Sequence, residues 1–268
     1  MGKIVVCGDS FAVGIGCRDL KKDPFGQLLG AKFGKEVINF AKGSSTNYSI
    51  ALQVDYVLDN IDDIDLLIIS QTCNHRINFF KEEEQLKRAG NTFFNKEITN
   101  LDVNYHEYPP YGEGTYHQIL DHPHKDDPNY TGNLNTENFY GVILFENEYK
   151  DLKDKPYYTK FFGEEYDRIK LIKDYYNEVW DDRIQHKYDI SILLYCHTRA
   201  RKKGVKHLMA VDWPEMEELI EPENYCRLSW GELALEFPDE IGSMHTSEQG
   251  HKKAYGIVMN KLAETSLI

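Results

Sequence analysis

Long apolar runs are missing from this sequence: no stretch approaches the roughly 20 residues needed to cross a bilayer, and residues 1–8 start as a strand with no charged or apolar leader region. The reading is therefore a soluble, cytoplasmic-type chain with no secretory signal and no membrane contact. Positive charge is also short. The 31 Lys and Arg stand against 44 Asp and Glu, a formal net charge of −13, and the cations are scattered among carboxylates. A phosphate backbone needs a basic stripe, so nucleic acid is excluded as a partner. Cysteine is sparse: Cys7, Cys17, Cys73, Cys196 and Cys226 are odd in number and form no Cys-x-x-Cys pair. That pattern excludes a disulfide frame or a zinc ribbon and reads as reduced thiols. With only nine prolines, 41% hydrophobic residues and 28% charged residues, the chain is neither a disordered tail nor a low-complexity scaffold.

What is there is an alternation of strands and helices. Ile4-Val5-Val6-Cys7 is a continuous apolar run that ends in the tight turn Gly8-Asp9-Ser10. Asp23-Pro24 opens a helix to about Lys32, followed by Gly34. Glu36–Phe40 reads as a second strand, Asn47 to about Leu58 as a helix with Ile50, Val54, Val57 and Leu58 on one face, and Asp65–Ser70 as a third apolar strand. Strand, helix, strand, helix, strand predicts a parallel sheet in an α/β fold. The 268 residues, at about 100–200 per domain, predict one domain, 1–268. Residues 78–163 break the order and form an insertion after the third strand, with a strand at Tyr140–Phe145. From Glu164 to Lys203 the apolar spacing predicts one long helix, or two with a break near Tyr188–Asp189. Val205–Val211 returns to strand, and Ser247–Leu262 closes the chain as a helix.

Four groups of residues carry candidate chemistry. Ser10 lies just past the carboxyl end of the first strand, where open α/β sheets place ligands, and its hydroxyl is a candidate nucleophile. Gly43, in the turn after the second strand, lets the backbone approach a reacting carbonyl and offers its N–H to an oxyanion. Gln71-Thr72-Cys73-Asn74-His75 ends the third strand, where the Asn74 amide supplies a further oxyanion donor. His245 stands before the last helix, and Thr246 with Gln249 has the spacing of a capping box. The dipole of the following helix would favour a neutral imidazole, as a general base requires. His251, one turn further on, reads as structural.

In order along the chain, these blocks resemble those of the SGNH hydrolase superfamily, the GDSL-type esterases and lipases. Gly8-Asp9-Ser10 resembles the first block, Asn39–Asn47 the second, Thr72-Cys73-Asn74-His75 the third, and His245-Thr246-Ser247-Glu248-Gln249-Gly250-His251 the last. The resemblance covers about the first 80 and last 30 residues. It implies a three-layer α/β/α, flavodoxin-like fold. It also implies a serine esterase or deacetylase, with Ser10 as nucleophile and His245 as base. The oxyanion donors would be the N–H groups of Ser10 and Gly43 with the Asn74 amide, and no metal or organic cofactor would take part.

Three departures are visible. Phe11 follows the serine where the family has a leucine-like residue. Thr72 stands where a glycine is usual, and a shifted register would make Thr72 the oxyanion donor. The family's acid falls on Gly242, so Asp239, then Glu240, or a backbone carbonyl between Glu240 and Gly242, would have to orient His245.

The insertion contains His106, His117, His122 and His124 among tyrosines and acidic residues. Read as a loop, it shapes a cleft for a carbohydrate-linked or small acyl ester; read as ligands, it would hold a divalent metal. A catalytically weak or inactive binding protein on the same scaffold is the alternative function. Oligomeric state is not legible, and a virus-encoded chain of this kind would enter a particle without a targeting peptide.

Overall fold

The structure is a computed structural model that describes residues 2–41, 45–74, 76–80, 139–143, 179, 181–240, 245–265 and 267, with 76–80 and 139–143 described through their backbone. The chain is an α/β protein built on a parallel five-stranded sheet. Its strands are β1 (Lys3–Cys7), β2 (Glu36–Asn39), β3 (Ile64–Ser70), β6 (His207–Val211) and β7 (Tyr225–Arg227), in the order β2-β1-β3-β6-β7. A separate antiparallel pair joins β4 (Arg76–Phe80) to β5 (Phe139–Ile143). The strand expected at Tyr140–Phe145 thus lies slightly earlier, and its partner β4 overlaps the start of the expected insertion. The remainder of residues 78–163, including the four insertion histidines, lies outside the described residues.

A strand buried on both faces must be apolar at every position, and β1 and β3 meet that demand. Val5, Cys7, Leu67 and Ile69 face one core with α3 (Asn47–Asn60) and α4 (Asp182–Lys202). Ile4, Val6, Leu66 and Ile68 face the other, with α1 (Ser10–Val13), α2 (Phe25–Phe33), α6 (Trp230–Glu236) and α7 (Glu248–Thr265). The short α5 (Glu215–Leu219) adds Met216 to the first core. Helices therefore cover both faces of the sheet.

Several local expectations are met for their stated reasons. Pro24 caps α2 and Gly34 ends it at a φ of 62°. Helix α4 ends in Arg199, Arg201 and Lys202, followed by Gly204 at a φ of 68°. The break near Tyr188–Asp189 does not occur, because α4 runs unbroken across it with Asp189 on its buried side. The capping box is also replaced. Thr246 Oγ1 lies 3.0 Å from the carbonyls of both Leu233 and Phe237 and shares its one proton between them, tying the last loop to α6, and α7 begins at Glu248.

At the other end of the sheet, the Val205 carbonyl can only accept, so His207 Nδ1 donates to it (3.0 Å); His207 Nε2 and His197 Nδ1 share one hydrogen bond (2.8 Å), and His197 Nε2 faces the Glu221 carboxylate (2.8 Å). Burial holds both rings below the usual imidazole range.

His251 carries a stability consequence. It is fully buried against Trp230 (centroids 5.3 Å), and neither ring nitrogen has a hydrogen-bond partner among the described residues. Burial, with the charge of His245 adding to it, pushes its pKa down to about 3. The unfolded chain then binds a proton that the folded chain refuses. This contribution is complete above about pH 6.5 and is lost as pH falls from there toward 3. Between pH 7.5 and 5 the loss should be about 2 kcal/mol, read from urea midpoints. His251→Leu should remove that part of the slope, and an equally steep profile in the variant would contradict the assignment.

Candidate functional site

The order β2-β1-β3-β6-β7 reverses between β1 and β3, because the chain leaves β1 toward β2 and returns to the other side for β3. Ligands of open α/β sheets bind at the carboxyl ends of the strands flanking such a reversal. Ser10 follows β1 there, and Thr72 and Asn74 follow β3.

The first turn is held by buried polar side chains. Gln53 of α3, fully buried, accepts from the Gly8 N–H (2.8 Å) and donates to the Gly8 carbonyl (3.1 Å) and Ser45 Oγ (3.1 Å). A side chain at Gly8 would collide with Ala12, which leaves this position to glycine. Asp9 caps α1, its Oδ1 accepting from the Phe11 N–H (3.0 Å). Ser10 is thereby fixed as the first residue of α1, 4% exposed. Asn39, at the end of β2, donates to the Ala12 carbonyl (3.0 Å) and accepts from the Ala41 N–H (3.0 Å). Gly43, the expected oxyanion donor beyond it, lies outside the described residues.

Thr72, the alternative oxyanion donor, is held by hydrogen bonds on both its side chain and its backbone. Its hydroxyl donates to Asp9 Oδ2 at 2.7 Å, closing the crevice between β1 and β3. Its backbone N–H donates to Asn47 Oδ1 (3.0 Å), and the Asn47 amide donates to its carbonyl (3.2 Å). A hydroxyl has one proton, and this one is committed to a buried carboxylate. Asn74, two residues on, is half-buried at the rim. If Asn74 is the oxyanion donor that the resemblance implies, Asn74→Ala should lower turnover by roughly 10²–10³-fold with little change in substrate binding. Thr72→Val should act on stability through Asp9, and the reverse ranking in kcat would make Thr72 the donor.

Behind this network Asp189 of α4 is buried and accepts from Gln185 (3.2 Å). Burial raises its pKa to about 7, with hydrogen bonds from Gln185 and Asn47 opposing the shift.

His245 is 8% exposed and reaches the first turn from the far end of the chain. Its ring centroid lies 4.8 Å from that of Phe11, the residue after Ser10. The approach is close along the whole segment: a Cβ on Gly16, which has a φ of 102°, would fall 2.3 Å from the Thr246 carbonyl oxygen. Pro238 bridges Thr246 in antiparallel fashion, and the Asp239 N–H donates to the His245 carbonyl (3.1 Å). The chain thus folds back so that Asp239, 6% exposed, runs beside His245. Glu240 instead pairs with Arg18 at the surface, where its side chain is 75% exposed. Gly242 lies outside the described residues.

Sequence reasoning misses Gln53, Asn47 and Asp9 as builders of this site. Gln53 is detectable only as a polar residue on the apolar face of α3. Among the described residues no group of His, Cys, Asp and Glu is arranged to hold a metal ion, and no helix is long and apolar enough to cross a membrane.

An α/β protein with a polar site at the reversal of its parallel sheet is the class that these observations define. Comparison of the chain with family models, with curated proteins and with solved structures finds no match.

Proposed function

We propose that this chain is a serine esterase of the SGNH hydrolase type with a flavodoxin-like fold. The supporting strand order is β2-β1-β3-β6-β7; with the β4-β5 pair set aside it is the 2-1-3-4-5 order of flavodoxin-like sheets. The observation that carries the reading is the contact of the His245 ring with Phe11, adjacent to Ser10 on a turn braced by Gln53, Asp9 and Thr72.

In this mechanism Ser10 Oγ attacks the ester carbonyl carbon while His245 takes its proton. The oxyanion is held by the N–H groups of Ser10 and Gly43 and the Asn74 amide. Collapse of the tetrahedral adduct breaks the carbon–oxygen bond to the alcohol, which leaves with the proton from His245. Water, deprotonated by His245, then releases the acid and restores Ser10. No metal or organic cofactor enters these steps. The substrate class is a small or carbohydrate-linked acyl ester, a choice that rests on the aromatic composition of the insertion.

A second reading, a binding protein that has lost its rate, is favoured by one observation: glycine at position 242, where the resembled family has its acid. Labelling with a serine-directed fluorophosphonate separates the two. The esterase reading expects a single adduct on the peptide containing Ser10, and the absence of any adduct there would favour the binding protein.

A further inference from the structure

Phe11 sits in a continuous aromatic path from the sheet to His245. Its ring is 5.6 Å from that of Trp230, stacked at 18°, and 4.8 Å from His245 at 42°. Trp230, which opens α6, is itself fixed. Its indole N–H donates to Ser70 Oγ at the end of β3 (2.8 Å), and it meets Phe25 of α2 at 5.5 Å with the planes 62° apart. A buried, hydrogen-bonded indole thus fixes the Phe11 ring, and that ring bounds the imidazole.

We propose that Phe11 is the positioning residue of His245: its ring fixes the imidazole and stabilises the positive charge that the imidazole gains from the Ser10 proton. The inference rests on the reading of Ser10 and His245 as nucleophile and base. An aromatic face is negative at its centre and the ring edge positive, and a cation placed over the face within about 6 Å of the centroid is attracted to it. The distance of 4.8 Å lies inside that range. The attraction acts on the charged imidazole more than on the neutral one, so it contributes where a base catalyst must develop charge.

Other titratable groups surround His245. His251 comes from α7, and the charges of the two rings oppose each other. The Asp239 backbone runs alongside, and Glu248 with Arg18, and Arg18 with Glu240, lie on the flanking segments. All are unchanged by a substitution at position 11, so a difference between variants there reports the ring.

The test is an NMR titration of the imidazole signals in the full chain, with His245 assigned through His245→Gln, compared among the parent, Phe11→Leu and Phe11→Tyr. Phe11→Leu should lower the His245 midpoint by about half a pH unit and slow kcat on nitrophenyl acetate about threefold, with KM little changed. Phe11→Tyr, which keeps the ring, should leave both near the parent. A midpoint unmoved by Phe11→Leu, or lowered equally by Phe11→Tyr, overturns the proposal.

If Phe11→Leu does not fold, mono-, di- and trifluorinated phenylalanines at position 11 keep the shape while weakening the ring face. A stepwise fall in the midpoint supports the proposal and a flat series overturns it. A parent without Ser10-dependent turnover would sink the esterase reading alone, because the titration decides on Phe11 without any turnover.

Discussion

Ser10→Ala should abolish hydrolysis of a small chromogenic ester such as nitrophenyl acetate while leaving the fold intact, with a loss on the order of 10³-fold or more in kcat. The expectation follows from the position of Ser10. It closes a turn whose glycine is clamped by Gln53 and whose Asp9 is held by Thr72, so the backbone loses no support when one hydroxyl is removed. Ser10 is nearly buried, and an alanine fits the same space. Far-ultraviolet circular dichroism and the urea midpoint should match the parent, and fluorophosphonate labelling should disappear. Residual turnover within about threefold of the parent would eliminate Ser10 as the nucleophile. Loss of turnover with a lowered urea midpoint would point to the turn and not to the hydroxyl.

Asp239→Asn should have the next largest effect, a loss between about tenfold and about 10⁴-fold in kcat, the upper figure being the size of the effect when the histidine of a serine protease triad is held in the wrong tautomer. The sequence leaves three ways to orient His245: Asp239, Glu240, or a backbone carbonyl. The first two differ in their surroundings. Asp239 is nearly buried and its backbone pairs with that of His245, whereas Glu240 is an exposed partner of Arg18. An exposed ion pair contributes little, so Glu240→Gln should leave turnover within about threefold of the parent. Measured side by side, equal small effects from both variants would assign the orienting role to the backbone and make the site a Ser10–His245 dyad. A loss confined to Glu240→Gln would overturn the ranking.

The parallel sheet is legible in the sequence because a strand buried on both faces leaves a run that no exposed element would tolerate. Ile4–Cys7 and Leu66–Ile69 are such runs, and they form the centre of the sheet. The ends of α2 and α4 are equally legible, since Gly34 and Gly204 adopt the left-handed conformations that glycine permits without strain. By contrast, β7 is only three residues, Tyr225–Arg227, and owes its form to pairing with β6, which no local pattern announces. Asp189 interrupts the apolar face of α4 and suggests a break, but a carboxyl buried beside Gln185 is still compatible with a continuous helix.

The division is sharpest at the site. The residues of each block, Ser10, Thr72, Asn74, Asp239 and His245, are properties of short segments and can be named from the sequence. Their partners cannot. Thr72 could equally have faced a substrate, and Thr246 could have capped its own helix. Thr72 instead gives its proton to Asp9, and Thr246, whose helix begins only at Glu248, shares its proton between the carbonyls of Leu233 and Phe237 at the end of α6. The sequence determined which residues have suitable chemistry. The tertiary structure alone decided which hydroxyl is committed and which acidic residue's backbone pairs with that of His245, because a hydrogen bond is assigned by distance and burial, and both are set by how the two faces of the sheet are covered.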